Sequence, residues 1–108
     1  MTDLTNIEQR APKAFVKAAL ERPWVHRQRI DTFRVVPRTS VHGKYLVRFY
    51  LLNGRVFADC TELRTGQSCK STLTRGRCCY HIAAAINHAD HLLRVQAARS
   101  EQPTADAA

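Results

Sequence analysis

Tyr45-Leu46-Val47-Arg48-Phe49-Tyr50-Leu51-Leu52-Asn53-Gly54-Arg55-Val56-Phe57-Ala58-Asp59-Cys60 is the stretch that decides the fold. Two runs rich in apolar, aromatic and β-branched residues flank Asn53-Gly54, and Asn-Gly is the preferred two-residue hairpin turn because both residues tolerate positive φ. If Leu52 faces Arg55 across that turn, Leu51 falls opposite Val56, Phe49 opposite Ala58 and Val47 opposite Cys60. One face of the hairpin is then apolar throughout, and Cys60 arrives at its end.

Downstream, residues 61–78 contain Gly66, Gly76, clustered Ser and Thr and several Arg and Lys, and read as an irregular loop too long for an ordinary hairpin. From Cys79 the pattern turns helical. Ile82, Ala85, Ile86, Ala89 and Leu92 or Leu93, continuing to Gln96, form one stripe, and Ala83 and Ala84 favour helix. Upstream, residues 39–44 read as a loop, and Trp24 to His26 then Ile30 to Val36 as a strand ending at Pro37. Thr5 or Asn6 is placed to cap a first short helix, with Pro12 in its opening turn, Phe15, Ala18 and Ala19 on one side and Pro23 as the stop.

The expected fold is therefore α+β: a small antiparallel sheet with a hairpin, an irregular loop and a C-terminal α-helix in a ββα arrangement, plus a short N-terminal helix. A chain of 108 residues has room for one domain. Its expected bounds are 10–99, with the hairpin, loop and last helix forming a module over about 45–99, a tail at 1–9 and a disordered polar tail at 100–108.

No stretch approaches the roughly 18 consecutive apolar residues of a membrane helix, and Met1-Thr2-Asp3-Leu4 lacks the basic-then-apolar pattern of a signal peptide. The expectation is a cytoplasmic protein in a reducing compartment. There the four cysteines read as ligands or free thiols rather than disulfides.

Cys79-Tyr80-His81 is a Cys-x-His pair at a helix start, preceded by Cys69 and Cys60. Zinc takes thiolate sulfur at roughly 2.3 Å and imidazole nitrogen at roughly 2.0–2.1 Å in a tetrahedral shell. A ligand at the end of a hairpin, one in a loop and two at a helix start can converge on one ion while each segment stays regular. Arg75, Arg77 and the helix N-terminus are expected to favour the Cys79 thiolate. The competing reading makes the cysteines small buried hydrophobes and His81 an ordinary helix residue. His88 is seven residues from His81, roughly 10 Å along a helix, too far to share the ion. It and His91 read as partly exposed helix residues, and His26 and His42 as surface residues.

The run Gly76-Arg77-Cys78-Cys79-Tyr80-His81-Ile82-Ala83-Ala84-Ala85, together with the strand beginning Tyr45-x-Val47, the hairpin and the short first helix, resembles the SWIM-type zinc fingers over about residues 10–95. The pattern of that family is Cys-x-Cys, a loop of variable length, then Cys-x-His running into a helix. The second half matches here, whereas the first is broken. Cys60 stands either as the second cysteine with Ala58 in place of the first, or as the first with Glu62 in place of the second. Thiolate is preferred in closed structural sites, so Cys69 is the expected substitute, with Cys78, Glu62 or a remote His as alternates. The expected set is Cys60, Cys69, Cys79 and His81 around one structural zinc ion.

The formal net charge is +8, and residues 21–80 carry twelve Lys or Arg against four Asp or Glu. A basic centre fits an anionic partner. The resemblance implies nucleic-acid binding or protein interaction, and Arg64, Lys70, Arg75 and Arg77 in or beside the loop, with Arg48 and Arg55 on the hairpin, are the candidate phosphate contacts. Whether the nucleic acid is DNA or RNA is left open. Trp24 and Tyr80 are stacking candidates on paper, but core packing is the expected role of both. An adaptor for a protein partner would instead use the sheet face carrying Leu46, Tyr50, Leu52 and Phe57. No phosphate cradle, acid pair or nucleophile elbow is visible, and a zinc ion with four protein ligands has no open position. A non-enzymatic protein, with no small-molecule substrate and no membrane partner, is expected.

Overall fold

Asn53 and Gly54 both take positive φ, 52° and 75°, and close the hairpin of β4 (Tyr45–Leu52) and β5 (Arg55–Glu62). The register is the one the turn implies: Leu52 opposite Arg55, Leu51 opposite Val56, Phe49 opposite Ala58 and Val47 opposite Cys60. A computed structural model describes residues 1–38, 43–69 and 78–101 of the chain. The fold is α+β, with five antiparallel strands, two short N-terminal helices and a long C-terminal helix among the described residues.

Upstream of the hairpin the structure departs from the sequence expectation in three places. The residues from Trp24 to Val36 form not one strand but two, β2 (Trp24–Arg29) and β3 (Thr32–Val36), paired with an irregularity between Arg27 and Arg29. The reversal is held at Asp31, whose carboxylate accepts a hydrogen bond from the Thr32 hydroxyl at 3.0 Å and whose carbonyl accepts one from the Phe49 N–H at 2.8 Å. No Gly or Asn marks it. The expected single N-terminal helix is likewise two, α1 (Ile7–Arg10) and α2 (Pro12–Glu21). Pro12 is the first residue of α2, and its ring drives the preceding residue out of the helical region. Ala11 accordingly sits at φ −132°, ψ 54°. Neither proposed cap acts by its side chain. Asn6 is left-handed without a capping bond, and Thr5 bonds the Asp3 carboxylate.

The N-terminal residues, expected as a tail, include an edge strand: β1 (Thr2–Asp3) pairs with β5, Thr2 opposite Ala58 and Asp3 opposite Phe57, and Thr2 is buried. The strand order is β1-β5-β4-β3-β2. At the other end the helix α3 (Tyr80–Glu101) reaches Glu101, past the expected boundary at 99. Residues 102–108 lie outside the described residues.

Alternation along the strands creates two unlike faces. On the inner face Val25, Phe33, Val35, Val47, Phe49, Ala58 and Cys60 pack against Ile82, Ala85, Ile86, Ala89 and Leu92 of α3, the helical stripe legible in the sequence. Phe33 and Phe49 meet edge to face at 5.6 Å. Helix α2 packs on α3 through Ala18 against Ala83 and Ala84, small residues that let two backbones approach. The opposite face carries Trp24, Arg34, Val36, Leu46, Arg48, Tyr50 and Phe57 by the same alternation, and none of these joins either core cluster. Among the described residues no helix is long and apolar enough to cross a membrane.

Candidate metal centre

The sulfur atoms of Cys60, Cys69 and Cys79 and a ring nitrogen of His81 all lie within 4.8 Å of one another. Each arrives by a different local rule. Cys60, fully buried, is set on the inner face by the hairpin register, opposite Val47. Cys69 is returned to it by a tight reversal. The Gly66 N–H bonds the Glu62 carbonyl, the Glu62 N–H bonds the Gln67 carbonyl, and the Cys69 N–H bonds the Cys60 carbonyl, each at 2.8 Å. Gly66 takes φ +71° in that reversal, a conformation open to glycine without a Cβ penalty. This part of the expected irregular loop is therefore an ordered extension of the sheet, with Thr61 bridged to Ser68. Lys70, Arg75 and Arg77 lie outside the described residues, as does His42.

Cys79 precedes the first residue of α3, and its carbonyl accepts the Ala83 N–H at 3.2 Å. His81, one residue into the helix, turns Nδ1 towards the sulfurs, 3.6 Å from Cys60 Sγ and 3.7 Å from Cys69 Sγ. Its ring is stacked on Tyr45, centroids 3.8 Å apart with planes 18° apart, and Tyr80 lies tilted beside it at 4.1 Å. A tetrahedral ion bound at about 2.3 Å to sulfur and about 2.05 Å to nitrogen has S···N edges of about 3.6 Å. The two Sγ···Nδ1 distances, 3.6 and 3.7 Å, match that edge. The cluster could hold a metal ion.

Electrostatically the cluster is arranged for a cation. Cys60 is pushed far above the ordinary thiol range by hydrogen bonding to Cys69 and Cys79, then by burial. For Cys79 the contact with Cys60 and the Ile82 N–H at the helix start favour the thiolate, but Cys69 and burial outweigh them and push it up to about 12. The expected help of the helix start to the Cys79 thiolate is present in the Ile82 N–H, but in the metal-free cluster Cys69 and burial outweigh it. Three neighbouring thiols cannot all ionise in a buried space without a positive charge among them. All four cysteines are free of disulfides.

The two alternates stand apart from the group. Cys78 directs its Sγ to the Cys79 carbonyl at 3.4 Å and is pushed up to about 11 by burial against the α2 side. Glu62 pairs with Tyr45 at the end of the hairpin and is not in the cluster. His88 packs edge to face on Phe33 at 6.0 Å, and His91 is exposed.

Of the candidate phosphate contacts, Arg48 and Arg55 share the open sheet face, while exposed Arg64 lies on the reversal beside the cysteines. Arg55 reaches the Asp3 carboxylate at 3.7 Å, and Arg48 sits over Tyr50 at 6.0 Å. The two stacking candidates divide. Tyr80 is half-buried beneath Lys17, whose Nζ is 4.7 Å from the ring, whereas Trp24 is 52% exposed with the Arg38 guanidinium 4.1 Å over it. Core packing therefore does not describe Trp24, because β2 is an edge strand and its residue 24 faces away from α3.

Sequence reasoning missed Tyr45 as the neighbour of His81 and Arg34 as a member of the open face. The β3–β4 register that places Arg34 opposite Leu46 spans a connection of eight residues, 37–44, too long for its Pro37 and Gly43 to fix a register by themselves. A scan against protein-family models found no match, and searches of curated proteins and of solved structures found none either.

Proposed function

We propose that this chain is a small zinc-stapled module that binds nucleic acid. The observation that carries the metal half is the convergence of Cys60, Cys69, Cys79 and His81 within 4.8 Å. Three thiolates and one imidazole in a tetrahedron are the donor set zinc prefers in closed structural sites. With every position taken by protein, the ion has no place for a reacting water, and its role is to tie the end of β5, the segment to Cys69 and the start of α3 together. The arrangement supports a relation to SWIM-type zinc fingers in which Cys69 fills the place left by the broken Cys-x-Cys half.

The nucleic-acid half rests on charge. Three thiolates on one dication leave the site at about −1, and the region 21–80 stays strongly basic. Arg48 and Arg55 are exposed on the open sheet face and Arg64 on the reversal beside the cysteines, and Lys70, Arg75 and Arg77 join them on the sequence alone. Such residues supply affinity and salt dependence but no base choice.

The test is anisotropy of a labelled mixed-sequence nucleic acid with the zinc-loaded protein. Binding should fall steeply between about 50 and 200 mM salt and vanish with the fold when a chelator strips the ion. Binding that ignores salt sinks the nucleic-acid reading. It would favour a protein-interaction adaptor, for which the uncovered apolar residues Leu46, Tyr50, Leu52 and Phe57 speak.

A further inference from the structure

The open face of the sheet sets aromatic rings beside arginines, and two of these, Arg34 and Arg48, form no ion pair among the described residues. Tyr50 and Phe57 are directly opposite each other on β4 and β5. One step along β4, Arg48 lies over the Tyr50 ring. A further step brings Leu46, with Arg34 opposite it on β3 and His26 opposite Arg34 on β2. At the far corner Trp24 carries the Arg38 guanidinium on its face. The acids of this face are already engaged: Asp3 with Arg55 at 3.7 Å, and Asp59 with the N-terminal ammonium at 3.5 Å. Among the described residues no carboxylate pairs with Arg34 or Arg48. Arg34 Nε is buried without a hydrogen-bond partner, a donor that an incoming acceptor would satisfy.

We propose that this face is a platform for single-stranded nucleic acid, with bases stacked on Tyr50, Phe57 and the Trp24–Arg38 pair and phosphates held by Arg48 and Arg34. The proposal rests on the nucleic-acid reading above and gives it a strandedness and a surface. Aromatic faces accept any base, and guanidinium planes extend the stack. The path from Tyr50 to Trp24 crosses two strand spacings and about six residues of strand, about 22 Å in all, with the arginines between its aromatic ends. A face of five strands at about 4.8 Å spacing is about 19 Å wide. That is too wide to enter the roughly 12 Å major groove of an undeformed duplex. Splayed bases of a single strand can lie across it.

The experiment compares labelled mixed-sequence DNA and RNA of about 12 nucleotides, single-stranded and annealed, by anisotropy with the zinc-loaded full chain. The variants are Tyr50→Leu, Phe57→Leu, Arg34→Gln, Arg48→Gln and, on the reversal, Arg64→Gln. Leucine retains the apolar bulk that half-buried positions need, and thermal melting of each variant checks the fold. The expected result is preference for single strands, with loss of about 5- to 150-fold in affinity on replacing Tyr50 or Phe57. Arg48→Gln should also flatten the salt dependence by about 0.7 in log–log slope. Equal or tighter duplex binding that ignores Tyr50→Leu and Phe57→Leu but responds to Arg64→Gln overturns the platform while leaving nucleic-acid binding intact. No binding to either form at low salt overturns both.

Discussion

Tyr45 lies flat on His81, with ring centroids 3.8 Å apart and planes 18° apart, and so fixes the direction in which Nδ1 faces the three sulfurs. Residues that orient a metal-ligating imidazole commonly change affinity about 10- to 100-fold when removed. Tyr45→Ala should therefore weaken metal binding by about tenfold or more, and Tyr45→Phe, which keeps the ring, should not. Competition against a chromophoric chelator measures both. Gly43 offers a second route to the same end: a Cβ there would stand 2.9 Å from Tyr45 Cε2, at φ +101°, so Gly43→Ala should displace the ring and reproduce part of the Tyr45→Ala loss. Unchanged affinity in Tyr45→Ala would remove the positioning role.

Metal uptake should release protons and weaken in acid. Cys60 and Cys79 hold their protons above the ordinary thiol value in the metal-free cluster, so binding must expel them, and the affinity rises with pH. Calorimetry at neutral pH in buffers of different ionisation enthalpy should report about three protons released per ion. Release near zero would mean that thiolates are not the ligands.

The α2–α3 contact is built on alanines, Ala18 against Ala83 and Ala84. Ala83 is fully buried, so Ala83→Leu should destabilise the fold by about 1–3 kcal/mol through overpacking. Ala97→Leu on the exposed part of the same helix should change stability by less than about 0.5 kcal/mol. Urea melts of the two variants separate a packing cost from a general effect of leucine in α3.

His88 should titrate below its ordinary value of 6.5, chiefly because burial disfavours its charged form, with His91 and His26 adding repulsion. The folded value is depressed, so the unfolded chain binds the proton more readily. The contribution to stability is whole above 6.5 and declines as the pH falls from there through the folded value. Proton NMR of the imidazole gives the titration directly. A midpoint above 6.5 would contradict the packing of His88 on Phe33.

How much was legible depended on whether the signal was local. Asn53-Gly54 carries its own turn geometry, so the register from Leu52–Arg55 to Val47–Cys60 followed from the turn alone. The stripe Ile82, Ala85, Ile86, Ala89 and Leu92 likewise needs only the helical period. The β2–β3 reversal was hidden because Gln28 to Asp31 contains no turn residue that demands positive φ, and its stability comes from Asp31 and a cross-strand bond to Phe49. Strand β1 was hidden by its length of two residues, which no pattern can register. The break at Ala11 was within reach, since Pro12 disfavours a helical residue before it. In the site, the proximity of Cys79 and His81 was local, but the Cys69 N–H bond to the Cys60 carbonyl and the Tyr45 stack on His81 arise from tertiary placement.

The central claim is that Cys60, Cys69, Cys79 and His81 hold one structural zinc ion. Metal content and thermal melting of the wild type, Cys69→Ser and Cys78→Ser test it together. The account predicts one zinc per chain in the wild type and in Cys78→Ser, with the ion weakened or lost and the melting temperature lowered in Cys69→Ser, and a wild-type fold that collapses under chelator. Metal-free wild-type protein that melts unchanged in chelator, or metal loss in Cys78→Ser with retention in Cys69→Ser, would contradict it.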